Sequence, residues 1–218
     1  MDFKSLLDFL RNLEKNNNKE WFDDNRKTYE TLRKQWIEFT ALAIQETGKF
    51  DKDVAILEPK SCIFRINRDI RFSKNKDPYK TNFGMSLSKG GKRDDFCGYY
   101  LHIQPGACFI AGGAYMPMPD KLAAVRQEID YNADKFTAIV TDKTFKKYFG
   151  KLGGETLQLP PKGYDITNPM VDYLKHKSFI AEHKITDKDL TDADFLKQLT
   201  DVFKAMQPLN DFLYESFK

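Results

Sequence analysis

The stretch that sets the fold class runs Cys97-Gly98-Tyr99-Tyr100-Leu101-His102-Ile103-Gln104, near the middle of the chain. Its odd-numbered side chains are apolar, and its even-numbered residues are small or carry a polar group. This two-residue period is typical of a β-strand with one buried face. Similar strand patterns occur in Ser61–Phe72, Phe83–Ser88 and Cys108–Ala114. We therefore predict an antiparallel sheet over about residues 58–116.

Glycine and proline pairs separate these predicted strands. Gly90-Gly91 and Pro105-Gly106 are expected to form turns, because both residue types interrupt regular structure. A further strand is predicted at Phe179–Ile185, where apolar and β-branched residues cluster.

Segments with the apolar spacing of helices lie before and after the predicted sheet. Leucines and phenylalanines recur at helical spacing over the first 13 residues, and Asn18 is expected to cap a second helix that continues to about Thr47 and ends at Gly48. The last hundred residues return to this period, in Lys121–Ile129, Ala133–Val140, Thr144–Phe149, a helix starting at Asn168-Pro169, and one or two helices between Asp192 and Phe217. These patterns predict one α+β domain over residues 1–218.

The composition is that of a folded protein. Hydrophobic residues make up 41% of the 218 residues and aromatic residues 14%, which argues against disorder. The three cysteines form no CxxC pair, so we predict free thiols, no disulfide framework and no metal site. We expect a cytoplasmic protein that does not bind membranes, because the sequence shows neither a signal peptide nor a membrane-spanning apolar run. No cofactor motif is present.

The positive charge is concentrated in one short segment. Residues Lys60 to Lys80 hold seven basic and two acidic side chains, a net charge of +5, whereas the whole chain carries only +3. A balanced overall charge does not by itself indicate nucleic-acid or membrane binding. The segment is therefore the place where we look for a ligand.

Several short motifs occur in a characteristic order along the chain. They are Asn17–Phe22, Phe64–Ser73, Asp77–Thr81, Gly112-Gly113 with Tyr115, Pro117 and Pro119, Pro161–Tyr164 with Asn168-Pro169, and Leu174–Lys177. Their order and spacing resemble the family called domain of unknown function 2461, over nearly the whole chain. The resemblance implies one compact domain of helices and antiparallel strands. The family has no established activity, so the resemblance implies no catalytic residues.

The residues of the basic segment suggest a pocket for an anion. If Ser61–Phe72 is a strand, its polar residues share one face, and the arginine forks among them suit a phosphate or a carboxylate. The neighbouring strands would add hydroxyl groups and one imidazole. The predicted ligand-binding residues are Arg65, Asp69, Arg71, Tyr79, Lys80 and Tyr100, and His102 is the candidate for proton transfer.

Structural roles for the same residues remain open. Arg65 and Arg71 can instead form ion pairs with nearby acids, and His102 can be a satisfied structural histidine. Arg68 lies on the predicted apolar side, so we expect either an ion-pair partner or a bulge that redirects it. The loop from Lys74 to Thr81 is either a phosphate clamp or a solvated basic loop.

The sequence thus supports three hypotheses of different classes. The first is binding of an anionic small molecule on the polar face of the sheet, with His102 as acid or base if the protein is an enzyme. The second is nucleic-acid binding through residues 64–80, with Tyr79 available for stacking. The third is a protein-interaction domain without chemistry. The oligomeric state and the reaction type are not determined by the sequence.

Overall fold

The computed structural model describes residues 1–89 and 97–216, and it confirms the α+β class. Before the sheet come helices α1 (Phe3–Lys15), α2 (Lys19–Asp24), α3 (Arg26–Thr47), α4 (Lys52–Ala55) and α5 (Pro59–Cys62). Three strands follow, β1 (Phe83–Ser88), β2 (Gly98–Ile103) and β3 (Phe109–Ala114). The remaining elements are α6 (Pro119–Tyr131), α7 (Ala133–Thr141), α8 (Lys143–Phe149), α9 (Val171–Leu174), β4 (Phe179–Lys184), a 3₁₀ turn (Asp189–Thr191) and α10 (Phe195–Glu215).

The four strands form one antiparallel sheet in the order β1-β2-β3-β4. Strands β1 to β3 follow each other along the chain, and β4 joins β3 after the intervening helices α6 to α9. The predicted strand at Phe179–Ile185 is therefore the fourth strand of the sheet. The turn predicted at Pro105-Gly106 is also confirmed, by a bond from Ala107 N to Gln104 O at 2.9 Å. Gly90-Gly91 lies outside the described residues.

The strand predicted at Ser61–Phe72 does not form. Its first residues end α5, and only Ile63 forms an isolated bridge to β1, at Met85. A continuing edge strand would carry Arg68 to the apolar side of the sheet, where an unpaired charge is costly. The chain instead leaves the sheet after Phe64, whose backbone N donates to Gly84 O at 3.3 Å.

The departing chain folds back on itself as a short hairpin. Lys80 N donates to Ile66 O at 2.8 Å, and Arg68 N donates to Pro78 O at 2.9 Å, around a bridge between Asn67 and Tyr79. We call Ile66–Lys80 the ribbon. It lies at the β1 edge of the sheet and contains most of the basic segment.

The ribbon is attached to the N-terminal helices by hydrogen bonds from one side-chain amide to its backbone and by ring stacking. Asn17, in the turn between α1 and α2, donates from Nδ2 to Tyr79 O at 3.0 Å and accepts from Tyr79 N at 3.1 Å. The Tyr79 ring stacks on Phe22 of α2, with centroids 4.0 Å apart and planes at 15°. These contacts hold the C-terminal arm of the ribbon in place.

Local capping explains most helix boundaries. Asn18 accepts from Trp21 N at 2.9 Å and caps α2 as predicted, although the single helix expected to Thr47 is divided at Asn25 into α2 and α3. Gly48 follows α3 as its C-cap, as predicted. Asn168 accepts from Met170 N at 2.8 Å, but the helix begins only at Val171, so the predicted start was too early.

The core lies between the inner face of the sheet and the long helices. Its largest fully buried side chains include Trp36 of α3, Tyr99 and Leu101 of β2, and Phe203 of α10. The predicted C-terminal helical region forms one helix, α10, which continues through Pro208. In the described ranges no helix is long and apolar enough to cross a membrane. This inner core leaves the outer face of the sheet for the candidate site.

Candidate functional site

A cavity of about 450 Å³ opens on the outer face of the sheet, between β1, β2 and the ribbon. It combines two cations, one carboxylate, one amide, two aromatic rings and a glycine. The described residues that line it are Phe64, Arg68, Asp69, Lys80, Asn82, Gly84 and Tyr100. The volume lies within the range of roughly 300–1,000 Å³ that is usual for small-molecule sites.

The floor of the cavity depends on the absence of a side chain at Gly84. A Cβ at this position would lie 2.9 Å from Tyr100 Oη and 3.1 Å from Phe64 Cδ2. Both distances are shorter than ordinary van der Waals contact, so a larger residue would displace the two aromatic side chains. Gly84 therefore creates room for the Tyr100 hydroxyl beside the cavity.

His102 lies below the cavity and holds its floor by hydrogen bonds. It pairs with Gly84 across β1 and β2, and its ring stacks on Phe109 with centroids 4.7 Å apart. Its Nε2 lies 3.2 Å from Gln104 Oε1, and its Nδ1 lies 3.0 Å from Tyr100 Oη and 3.2 Å from Asn82 Nδ2. With Gln104 Oε1 as acceptor, the neutral ring carries its proton on Nε2 and accepts at Nδ1.

Two donors therefore compete for one acceptor. The neutral Nδ1 of His102 has a single lone pair, whereas both the Tyr100 hydroxyl and the Asn82 amide point to it. When one of these two groups donates to His102, the other can donate a hydrogen bond to a ligand. The cavity thus keeps one neutral donor available without leaving the imidazole unsatisfied.

Burial sets the protonation of this pair near neutral pH. Desolvation lowers the pKa of His102, and the hydrogen bond with Gln104 opposes that effect. Desolvation also raises the pKa of Tyr100 to about 12. At neutral pH the hydroxyl therefore keeps its proton and the imidazole is uncharged.

Two cations from the ribbon provide the positive charge of the cavity. Arg68 donates from Nη1 to Asp77 O at 2.9 Å and from Nη2 to Ser73 Oγ at 3.3 Å, which uses only part of its set of N–H groups. Lys80 Nζ lies 5.4 Å from the centroid of the Phe64 ring. Both side chains are half-buried, so a ligand beside them would be partly shielded from water.

The cavity carboxylate, Asp69, is bound by the neighbouring Arg71. Arg71 donates from Nε to Oδ1 at 3.0 Å, from Nη2 to Oδ2 at 2.7 Å and from its backbone N to Oδ1 at 3.3 Å. These bonds to Arg71, with a smaller contribution from Arg65, lower the pKa of Asp69. Asp69 is therefore ionised at neutral pH, with its charge offset by Arg71.

The structure brings together only part of the predicted set. Asp69, Lys80 and Tyr100 line the cavity, and His102 contacts it through Tyr100 and Asn82. Arg71 reaches the cavity only through Asp69, in the ion pair that was the structural alternative for this arginine.

Two of the predicted ligand-binding residues lie elsewhere. The exposed Arg65 makes no hydrogen bond or ion pair within the described ranges. The Tyr79 ring is buried against Phe22 and is not among the described residues that line the cavity.

Four of the described lining residues are not among the predicted ligand-binding residues: Phe64, Arg68, Asn82 and Gly84. In the sequence Arg68 is an exception on the apolar side of a predicted strand, and neither the expected ion pair nor the expected bulge is correct. It forms neither an ion pair nor a sheet bulge in the described part of the chain, because the ribbon turns its side chain toward the cavity. The sequence therefore did carry a signal for Arg68 as a site residue, because it is a charged residue at a position where the pattern is apolar.

A second cavity of about 540 Å³ lies between α7, the start of α8 and α10. Among its described lining residues, Asp142, Asp211 and Glu215 are acidic and Lys135 is the one cation. This charge does not suit an anion. Within residues 1–89 and 97–216, no group of three or more His, Cys, Asp or Glu side chains is placed to hold a metal ion.

Comparison with known proteins identifies the family. No curated protein and no solved structure gives a significant match to the chain. A family model does match, over residues 5–212 of the 218. This range includes the whole sheet, the ribbon and every described residue that lines the first cavity. The chain therefore belongs to the family described as "Conserved hypothetical protein (DUF2461)".

Proposed function

We propose that the cavity between the ribbon and the sheet binds a small molecule that carries a phosphate or carboxylate group. The convergence of Arg68 and Lys80 on one cavity with Tyr100 and Asn82 carries this proposal. Charge-assisted hydrogen bonds from arginine and lysine are the strongest that a protein offers to such anions.

The balance of charge in the cavity favours an anion. Arg68 and Lys80 supply two positive charges, and the negative charge of Asp69 is already paired with Arg71. Tyr100 or Asn82 adds a neutral donor, since His102 accepts fully from only one of them at a time. An anion would thus be held by cations on the ribbon side and by a hydroxyl or amide at the floor.

Proton transfer at this site would run through Tyr100. Both nitrogens of His102 are engaged inside the protein, so His102 would act on a ligand through the hydroxyl that it contacts at 3.0 Å. If the protein is an enzyme, we propose Tyr100 as the group that exchanges a proton with the ligand and His102 as the group that positions it.

Phosphate binding tests the proposal. Isothermal titration of inorganic phosphate at low ionic strength should give a dissociation constant that rises at least about tenfold in Arg68→Met and in Lys80→Met. Lys74→Met removes the same charge from an exposed position that does not line the cavity, so its affinity should stay within about twofold. Equal losses in all three variants, or no binding by the wild type, would overturn the proposal.

One observation favours the nucleic-acid alternative. Phe72 is 96% exposed at the far end of the ribbon, with the guanidinium of Arg71 5.8 Å from its ring centroid. An exposed ring among cations is a platform on which a base can stack. Fluorescence anisotropy with a labelled single-stranded oligonucleotide would support this function if Phe72→Ala weakened a salt-sensitive affinity. An affinity unchanged by Phe72→Ala would count against it.

We also propose a cytoplasmic location. All three cysteines are buried free thiols, which suits a reducing compartment.

A further inference from the structure

The candidate anion site contains one group that a simple anion would not need. Asp69 lines the cavity together with Arg68 and Lys80, and a bare phosphate placed there would meet a carboxylate of its own charge sign. A ligand that uses all of these groups must therefore present something to Asp69 other than negative charge. This requirement narrows the class of ligand.

Asp69 has hydrogen-bonding capacity left. An ionised carboxylate has about four lone-pair sites, and Arg71 occupies three of them, two on Oδ1 and one on Oδ2. Oδ2 can accept one more hydrogen bond, and the side chain is 46% exposed. A ligand in the cavity can therefore donate to Asp69 without displacing Arg71.

The charge around Asp69 selects the kind of donor. Arg71 already offsets the carboxylate, and Arg68 and Lys80 lie in the same cavity. An ammonium group on the ligand would meet these cations and be repelled, whereas a hydroxyl brings no charge. A hydroxyl is therefore the donor that fits.

The walls of the cavity add an apolar contact. The Phe64 and Tyr100 rings stand edge to face, with centroids 6.1 Å apart and planes at 78°, and Phe64 is 39% exposed. Aromatic rings can pack against the C–H groups of a polyol while polar groups hold its hydroxyls. The cavity of about 450 Å³ has room for such a molecule.

We propose that the ligand of this site is a hydroxylated phosphate of the polyol phosphate or sugar phosphate class. Its phosphate contacts Arg68 and Lys80, and one of its hydroxyls donates to Asp69. This inference rests on the anion-binding function proposed above.

Two probes of similar size separate the hydroxyl contribution from the anion contribution. Glycerol 3-phosphate and n-propyl phosphate share the phosphate and the three-carbon chain, but only the first carries free hydroxyls. Isothermal titration should show glycerol 3-phosphate binding at least about tenfold more tightly, because a hydrogen bond to a charged group contributes that much. In Asp69→Asn, which lacks the charged acceptor, the two phosphates should bind within about threefold of each other.

Asp77→Asn is the matched control, because Asp77 belongs to the same ribbon and its side chain does not line the cavity. It should keep the wild-type ratio between the two phosphates. Equal affinity for both in the wild-type protein would overturn the polyol phosphate proposal and leave the anion site standing. Loss of the ratio in Asp77→Asn as well as in Asp69→Asn would also overturn it. If neither phosphate binds to the wild-type protein, the proposed function itself is rejected.

Discussion

The side-chain amide of Asn17 bonds to both backbone groups of Tyr79, a residue 62 positions later in the chain. Nδ2 donates to the carbonyl at 3.0 Å and Oδ1 accepts from the N–H at 3.1 Å, as a neighbouring strand would. Tyr79 in turn precedes Lys80, whose side chain lines the cavity. The position of one cation of the candidate site thus depends on a turn between two N-terminal helices.

Replacing Asn17 by alanine should therefore destabilise the protein. The change removes two half-buried hydrogen bonds, and we expect the free energy of unfolding to fall by about 1–3 kcal/mol. Denaturant unfolding followed by circular dichroism measures this loss. Asn16→Ala is the control, since the Asn16 side chain bonds within its own helix end, to Asn12 O at 2.9 Å. An equal loss in both variants would contradict the prediction.

Gly84→Ala should weaken anion binding more than it lowers the free energy of unfolding. The added methyl group would lie 2.9 Å from Tyr100 Oη and 3.1 Å from Phe64 Cδ2, so both cavity walls must shift. We expect the dissociation constant for phosphate to rise at least about tenfold in a titration experiment. Ser86→Ala, two residues later on the same face of β1, should bind as the wild type does. Wild-type affinity in Gly84→Ala would show that the ligand does not use this floor.

Tyr100 and Asn82 should show strong coupling in a double-mutant cycle. Either single change, Tyr100→Phe or Asn82→Ala, leaves the other residue to donate to His102 Nδ1. The double variant leaves this nitrogen without either donor, so its loss of stability should exceed the sum of the single losses by about 0.5–2 kcal/mol. Unfolding of the four proteins at pH 8 measures the coupling. Additive losses would show that the two donors do not share one acceptor.

Stability should decrease as the pH falls below about 6.5, the ordinary histidine value. Burial lowers the pKa of His102 and of His176 in the folded protein, so the unfolded chain takes up protons first. The contribution of each histidine is therefore complete above about pH 6.5 and is lost as the pH falls from there through the lower folded-state pKa. Denaturant unfolding between pH 5 and 8 should show a smaller decrease in His102→Gln and in His176→Gln. A pH dependence unchanged in both variants would contradict this assignment.

Local patterns in the sequence determined the elements whose residues interact mainly with near neighbours. The alternation in Phe83–Ser88 and around Tyr100 predicted β1 and β2, because the period of two follows from strand geometry alone. Asn18 predicted the start of α2 because a cap involves only the next few residues. The α+β class followed from these local signals.

The tertiary structure decided where the basic segment lies. Ser61–Phe72 alternates as a strand does, yet the cost of placing Arg68 on the apolar side and the bonds of Tyr79 to Asn17 favour the ribbon instead. The ribbon brings Arg68 and Lys80 into one cavity with Tyr100, whereas Arg65 is not among the described residues that line it. The sequence thus determined which residue types were available for an anion site. Contacts between residues distant in the chain decided which of them meet, because their energies depend on the assembled fold and not on the local pattern.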